Sequence, residues 1–307
     1  MQSKHLGTHK NLAAAIAIGM VACALAGGVG GAGAKTNHAW KAGPAIGGKG
    51  ALLRPAVDPA ALPPGYTVGS GDAVTARAGE QARADVTCPG KTKPVGGGAA
   101  NTSTSTLVSI NSSYPADNRS WRVYVNNLSD TDTTIAAYAV CVTLPESKYT
   151  VSGGVYTGAP GVQTQGTAMC DSGVVVGGGV YSLATDPAVS VNSLFPDSTT
   201  SWRADMNNGT GSPQSFSVYA ICRNVKPAGY LLRVGTNRKN PAGSQTKVTV
   251  TCPGARVPLS GGAVSDSSST LASLNESIPT GQSWISYENN ETGADSSVTP
   301  YVICAGK

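Results

Sequence analysis

The chain has 307 residues, of which 13% are charged and 6% aromatic, and it contains 39 glycines. This composition disfavours long helices and large aromatic cores, and it favours short strands joined by turns. Beyond the first 34 residues there are 20 basic and 17 acidic side chains, a net charge of +3. A surplus this small excludes a polycation, so we expect no nucleic-acid partner.

Residues 1–34 predict a signal peptide. Two lysines give a positive start, an uncharged apolar stretch covers 12–26, and Ala32-Gly33-Ala34 is a small-residue cleavage site. The apolar stretch is shorter than the roughly 20 residues that span a bilayer, so we expect no transmembrane segment. Lipoprotein-type cleavage before Cys23 is the alternative, which the apolar continuation after that residue disfavours. The prediction is an extracellular, secreted protein that begins near Lys35.

Residues 35–60 form a Gly-, Ala- and Pro-rich segment without apolar periodicity. This composition predicts a flexible linker. The alternative is a segment that becomes ordered on a partner, with Trp40, Leu52 and Leu53 as its apolar anchors. A tryptophan in a glycine-rich tail favours this alternative slightly.

After residue 60 the chain consists of three copies of one unit, which we place at 61–144, 145–225 and 226–307. Each copy contains a tyrosine, a cysteine, a glycine run, a proline, a tryptophan, an Asn-Asn pair and a closing Tyr-x-x-Cys. The first cysteines are 82 residues apart in both steps. Agreement at so many offsets indicates internal repetition.

Each repeat predicts about six short strands, because turn signals recur every ~8–12 residues and no helical period is visible. Thr and Val alternate over 247–252, which is typical of a half-buried strand. The predicted fold class is all-β, with three tandem disulfide-closed antiparallel β units. The units are sandwich-like or form a pseudo-threefold prism, and the sequence leaves open whether they close on each other or follow one another as beads.

Six cysteines lie in the repeats, two in each copy. Six cysteines can pair in 15 ways, but equal repeats require the same pairing in each copy. One disulfide per repeat is consistent with an oxidising compartment. The predicted bonds are Cys88–Cys141, Cys170–Cys222 and Cys252–Cys304.

The tryptophans and asparagines of the repeats allow two interpretations. Trp121, Trp202 and Trp284 either fill the core of each unit or stack on sugars. In the second case the amides of the Asn-Asn pairs would bind sugar hydroxyls, and the residues concerned are Asn127, Asn208 and Asn290. Because aromatic residues are so scarce, core packing is the favoured interpretation.

The repeats lack the side chains of common catalytic sites. The three histidines, His5, His9 and His38, all precede the repeats, and the six repeat cysteines are assigned to disulfides. This excludes histidine-dependent nucleophilic catalysis and histidine-containing zinc sites from the repeats. Acidic pairs such as Asp130 and Asp132 lack the full ligand set of a calcium loop. We therefore expect no enzyme, no cofactor and no metal.

The order Cys-Pro-Gly, Val-Gly-Gly-Gly, Pro, Trp, Asn-Asn and Tyr-Ala-Val-Cys resembles a repeat of secreted actinobacterial proteins that are rich in cysteine and glycine. The resemblance covers residues 60–307 and implies no reaction. A tail followed by a β-body is also similar to the small adaptor of Streptomyces umbrella toxin particles, which implies a partner bound by an extended N-terminal segment.

Together these features predict a secreted, non-catalytic structural or protein-binding scaffold. Its partner would be a secreted or cell-surface protein, bound through the N-terminal segment and the loops that differ between copies. The alternative is a multivalent protein that binds cell-wall glycans.

Overall fold

The computed structural model describes residues 57–144 and 149–306. These ranges contain strands and one 3-10 turn, Pro59–Ala61, but no α-helix. No helix in the described ranges is long and apolar enough to cross a membrane. The all-β prediction is confirmed, whereas the predicted signal peptide and most of the 35–60 segment lie outside the described residues.

Each repeat contributes six strands, of which the first is split in two in repeats 1 and 3. Repeat 1 contains β1 Thr67–Ser70, β2 Val74–Ala76, β3 Gln81–Thr87, β4 Lys93–Asn101, β5 Val108–Pro115, β6 Ser120–Asn127 and β7 Thr133–Val142. Repeat 2 contains β8 Thr150–Gly158, β9 Gln163–Met169, β10 Val174–Ser182, β11 Val189–Pro196, β12 Ser201–Asn208 and β13 Gln214–Arg223. Repeat 3 contains β14 Leu231–Val234, β15 Arg238–Asn240, β16 Ser244–Thr251, β17 Val257–Ser265, β18 Ala272–Thr280, β19 Ser283–Asn290 and β20 Ser296–Ala305.

Within each repeat the strands form two antiparallel sheets that pack as a sandwich. In repeat 2 one sheet has the order β8–β13–β10 and the other β9–β12–β11. The predicted disulfides are confirmed, with Cα–Cα distances of 5.7, 5.6 and 5.7 Å. In repeat 1 the bond joins Cys88, just after β3, to Cys141 in β7, and so it links the two sheets. Closing a loop of this length contributes about 4 kcal/mol to stability.

The three repeats close on each other rather than following one another as beads. Strand β5 of repeat 1 pairs with β10 of repeat 2 at Ser113 and Val180, and β11 of repeat 2 pairs with β17 of repeat 3 at Leu194 and Ala263. Strand β18 of repeat 3 packs against β4 of repeat 1 in the same manner, although no ladder pairing joins these two. All the described residues belong to one compact unit. The repeats therefore have the arrangement of a pseudo-threefold prism.

The tyrosine that opens each repeat helps to close this ring. Its hydroxyl donates a hydrogen bond to a backbone carbonyl at the start of the glycine strand in the preceding repeat. The three bonds are Tyr66 to Pro258 at 3.0 Å, Tyr149 to Pro94 at 3.0 Å and Tyr230 to Val175 at 2.8 Å. The first of them connects repeat 1 to repeat 3, which shows that the ring is complete.

The run must be glycine because a tryptophan ring and the backbone of a neighbouring repeat lie too close to it for a side chain. In repeat 2 the second glycine, Gly178, leaves no room for a Cβ beside the ring of Trp202. The third, Gly179, faces the carbonyl of Ser113 in repeat 1. The same two contacts recur in repeats 1 and 3, where the pairs are Gly97–Trp121, Gly98–Ser277, Gly261–Trp284 and Gly262–Leu194.

The first position of each run lies where the three repeats meet. It is occupied by Gly96, Gly177 and Ser260. A Cβ on Gly96 would lie 2.7 Å from the Cβ of Ser260, and one on Gly177 would lie 3.0 Å from it. The shared space therefore admits one small side chain, which explains why the third run has only two glycines.

Candidate functional site

The three repeat tryptophans lie in the core. Trp121, Trp202 and Trp284 are at most 1% exposed. The indole Nε1 of Trp121 donates to Ser113 Oγ at 3.0 Å, and that of Trp284 donates to Ser277 Oγ at 2.9 Å. A ring without an exposed face cannot stack on a sugar, so these side chains provide no platform for a glycan. Their burial agrees with the core-packing interpretation.

The second asparagine of each pair organises the loop that follows it. Asn127 donates from Nδ2 to the carbonyls of Ala76 and Thr131, each at 2.9 Å, and its Oδ1 accepts from the backbone and hydroxyl of Ser129. Asn208 and Asn290 make the equivalent bonds in their repeats. All three are at most 2% exposed. These amides are occupied by the fold and do not form a ligand site.

The first asparagine of each pair links its repeat to a neighbouring repeat. An asparagine in the preceding strand bonds the same carbonyl. Asn126 and Asn111 of repeat 1 both donate to the carbonyl of Val189 in repeat 2, each at 2.8 Å. Sequence reasoning missed this network, although its signal is visible as an Asn at the fourth position of β5, β11 and β18. The other bonds run from Asn192 and Asn207 to Ala272, and from Asn275 and Asn289 to Val108.

The shared residues build the frame, and the outer faces of that frame differ between repeats. Four tyrosines lie close together on the six-stranded sheet that repeats 1 and 2 share. We use the name tyrosine face for Tyr114, Tyr124, Tyr181, Tyr219 and the neighbouring Arg122. Tyr114 stands at the centre, with its ring centroid 4.8 Å from that of Tyr181 and 6.0 Å from that of Tyr219. Tyr124 lies 6.5 Å from Tyr181. All but Tyr114 are partly exposed.

Two arginines and an aspartate form an ion-pair cluster on one side of the tyrosine face. Arg122 donates from Nε to Asp85 at 2.6 Å, and Arg83 donates to the other oxygen of Asp85 at 2.7 Å. Burial raises the pKa of Tyr114, and the neighbouring Arg122 opposes that shift. The hydroxyl of Tyr114 is therefore protonated at neutral pH. The face combines aromatic rings, hydroxyls and a guanidinium held in place by a carboxylate.

We call the contacts between repeats 1 and 2, 2 and 3, and 3 and 1 the first, second and third junctions. The second and third junctions have different side chains at the positions of the tyrosine face. Tyr114 pairs across the strands with Arg122, Phe195 pairs with Arg203, and Ile278 pairs with Ile285. Phe195 packs 4.9 Å from Tyr301, with Arg203 5.7 Å above its ring. The third junction has isoleucines instead. Within the described ranges a four-tyrosine cluster occurs at the first junction alone.

The third junction carries a titratable group where the others have serine. Ser112 accepts a hydrogen bond from the backbone of Ser182, and Ser193 accepts one from Ser265. At the third junction Glu276 accepts the equivalent bond from the backbone of Asn101, at 3.4 Å. Burial raises the pKa of Glu276 to about 7, although the Asn101 bond and Lys247 oppose the shift.

A second unusual carboxyl lies in the core of repeat 3. Glu288 is 0% exposed and occupies the position of Val125 in repeat 1 and Met206 in repeat 2. Neither carboxyl oxygen has a hydrogen-bond partner among the described residues. Burial raises the pKa of Glu288 well above its usual range, and the neighbouring Ser265 opposes this shift.

A cleft among the described residues is a further candidate feature. An apolar cleft of about 190 Å³ is lined by residues that include Val95, Leu144 and Leu259. It is smaller than the roughly 300–1,000 Å³ of most small-molecule sites. In the described part of the chain no group of three or more His, Cys, Asp or Glu residues could hold a metal. The predicted anchors Trp40, Leu52 and Leu53 lie outside the described residues.

No protein-family profile matches the chain, and no curated protein is significantly similar to it in sequence. Any statement about function therefore depends on the surfaces themselves.

Proposed function

We propose that this protein is a secreted, non-catalytic scaffold that binds a protein partner, and that the tyrosine face is its main contact surface. Tyrosine and arginine are the residues most enriched at the energetic centres of protein interfaces. The observation that carries the proposal is the convergence of Tyr114, Tyr124, Tyr181 and Tyr219 beside Arg122.

The rigidity of the face supports this role. Its five side chains come from β5, β6, β10 and β13, four adjacent strands of one sheet. Side chains that are already ordered lose little conformational entropy on binding, and tyrosine has only two side-chain torsions to fix. The face therefore offers a large contact area at low entropic cost.

The chemistry of the repeats supports a non-catalytic role. Their six cysteines are disulfide-bonded, and the repeats contain no histidine. Three disulfides indicate a compartment outside the reducing cytoplasm. Together with the predicted signal peptide of residues 1–34, they support secretion.

The N-terminal segment completes the proposed adaptor. It would engage the partner through Trp40, Leu52 and Leu53, while the tyrosine face and the variable loops supply the folded contact. Val57, the first described residue, packs against the core of the ring.

The test is a binding measurement with matched tyrosine variants. The disulfide-intact protein captures its partner from the culture supernatant of the producing organism, and the affinity is then measured with purified components. Tyr124→Ser combined with Tyr181→Ser should weaken binding by about tenfold or more, since each tenfold corresponds to about 1.4 kcal/mol.

Tyr287→Ser is the matched control, because Tyr287 occupies the position of Tyr124 in repeat 3. It should leave the affinity unchanged. Equal affinity of the double variant and the control would refute the tyrosine face as the contact surface. Deletion of residues 35–56 separately measures the contribution of the N-terminal segment.

A further inference from the structure

Repeat 2 leaves both free edges of its sandwich without charge. Strand β8 pairs with β13 and strand β9 with β12, and among the described residues neither pairs with a strand on its other side. No charged residue occurs in 149–169, which contains both strands. The corresponding stretches of repeats 1 and 3 carry Asp72, Arg77, Glu80, Arg83, Asp85, Arg233, Arg238, Lys239 and Lys247.

Strand β8 also lacks the bulge that interrupts its counterparts. In repeat 1, Ser70 pairs with Tyr138 and Ala76 pairs with Thr133, so the edge has one residue more than β7 between these two pairs. Repeat 3 has the same extra residue between Val234 and Asn240. In repeat 2, β8 pairs with β13 residue for residue over Thr150–Gly158. Bulges and charges are the usual means by which proteins protect a sheet edge from pairing. Repeats 1 and 3 have both, and β8 has neither.

The outer face of β8 exposes apolar side chains. Val155 is 77% exposed and Val151 43% exposed, and both point to the same side of the sheet because they are four residues apart. The neighbouring edge strand β9 ends at Met169, which is 60% exposed. A long, neutral, regular edge with exposed valines is a template for another strand.

We propose that β8 is a dimerisation edge that pairs antiparallel with β8 of a second copy of this chain. Charge excludes the edges of repeats 1 and 3 and leaves those of repeat 2, of which β8 itself offers the two exposed valines. Pairing β8 with itself buries no charged side chain of the strand, whereas pairing it with an edge of repeat 1 or 3 would desolvate charged side chains to which β8 offers no partner. Such self-pairing is isologous and closes after two copies.

The sequence of β8 suits a register centred on Gly153. In this register Gly153 faces its copy, and Val151 of each chain lies opposite Val155 of the other. Cross-strand pairs of β-branched residues stabilise antiparallel sheets, and both pairs would lie on the exposed face. The dimer joins two six-stranded sheets into one. Its twofold axis runs perpendicular to the sheet, so the two tyrosine faces point the same way.

The test measures the mass of the purified, disulfide-intact protein in solution by light scattering and sedimentation over a range of concentrations. The wild type should reach twice the mass of the chain and dissociate on dilution. Val155→Lys should remain monomeric, with an unchanged circular dichroism spectrum. Val234→Lys is the matched control, since Val234 is 52% exposed on the corresponding edge strand of repeat 3, and it should dimerise like the wild type.

Amide hydrogen exchange locates the interface independently. The amides of β8 should be protected at high concentration and lose that protection in Val155→Lys. If this variant fails to fold, Thr157→Lys on the same exposed face replaces it. A wild type that is monomeric at every concentration, or a dimer that survives the lysine substitution in β8, would overturn the proposal. Partner binding at the tyrosine face is measured separately and does not depend on this result.

Discussion

Replacement of Glu288 by methionine should stabilise the protein. The side chain is fully buried without a hydrogen-bond partner among the described residues, and repeat 2 has Met206 at the same position. A buried unsatisfied polar group costs about 1–3 kcal/mol. Removing that cost and burying an apolar side chain instead should raise the free energy of unfolding by about 3 kcal/mol. For a domain of this size, the melting temperature should rise by roughly 6–12 °C.

The gain should depend on pH in a defined direction. The usual pKa of the carboxyl is 4.5, and burial raises the pKa of Glu288 well above this value in the folded state. Below pH 4.5 the carboxyl is protonated in both states, so ionisation contributes nothing. As the pH rises above 4.5, the unfolded state ionises first and the wild type loses stability. The advantage of Glu288→Met should therefore be larger at pH 8 than at pH 4.

The assay is denaturant and thermal unfolding of the disulfide-intact wild type, Glu288→Met and Glu288→Gln at both pH values. The glutamine variant keeps the shape and polarity of the side chain but does not titrate. It should lack the part of the pH-dependent loss of stability that Glu288 causes, while remaining less stable than the methionine variant. A methionine variant that is less stable than the wild type at both pH values would refute the reasoning, because it would show that the carboxyl is well solvated or paired.

Three further changes test the junctions between repeats. Glu276→Ser, which installs the residue of the other two junctions, should abolish a loss of stability that the wild type shows as the pH rises from 4.5 through about 7. This loss amounts to about 3 kcal/mol at about 1.4 kcal/mol per pKa unit, and identical pH profiles of the two proteins would contradict it. Gly177→Ser places a second side chain where Ser260 already fills the space and should cost about 3 kcal/mol in denaturant unfolding, whereas Gly211→Ser, which meets nothing within 4 Å, should be neutral. Asn192→Ala leaves the carbonyl of Ala272 with one amide instead of two and should cost about 2 kcal/mol, and an unchanged unfolding midpoint would show that the link is not stabilising.

The frame of each repeat could be predicted because its signals are local or recur at fixed offsets. The cysteine pairs and the strand number both follow from that spacing. The joining of repeats could not be predicted. Asn126 bonds a carbonyl 63 residues away, and nothing near Asn126 in the sequence specifies that partner. The last glycine of each run lies against a backbone carbonyl of another repeat, and the sequence shows only that the residue is a glycine.

The candidate site was missed for a related reason. Tyr114 and Tyr124 belong to repeat 1, while Tyr181 and Tyr219 belong to repeat 2. Each occupies an outward position of its own strand, where a single tyrosine is unremarkable. They become neighbours only because β5 pairs with β10. A pattern search within one repeat cannot find a surface that two repeats build together.

Because the ring is closed, the last and first repeats are neighbours in space although they are far apart in the sequence. Gly306, at the end of repeat 3, lies beside the start of repeat 1, since a Cβ on it would be 2.9 Å from the carbonyl oxygen of Ala61. The junction between the last and first repeats thus resembles the covalently continuous junctions. A circular permutant that joins these ends and opens the chain between Leu144 and Tyr149 would retain every pairing between repeats. We therefore expect such a permutant to form the same ring with the same three disulfides.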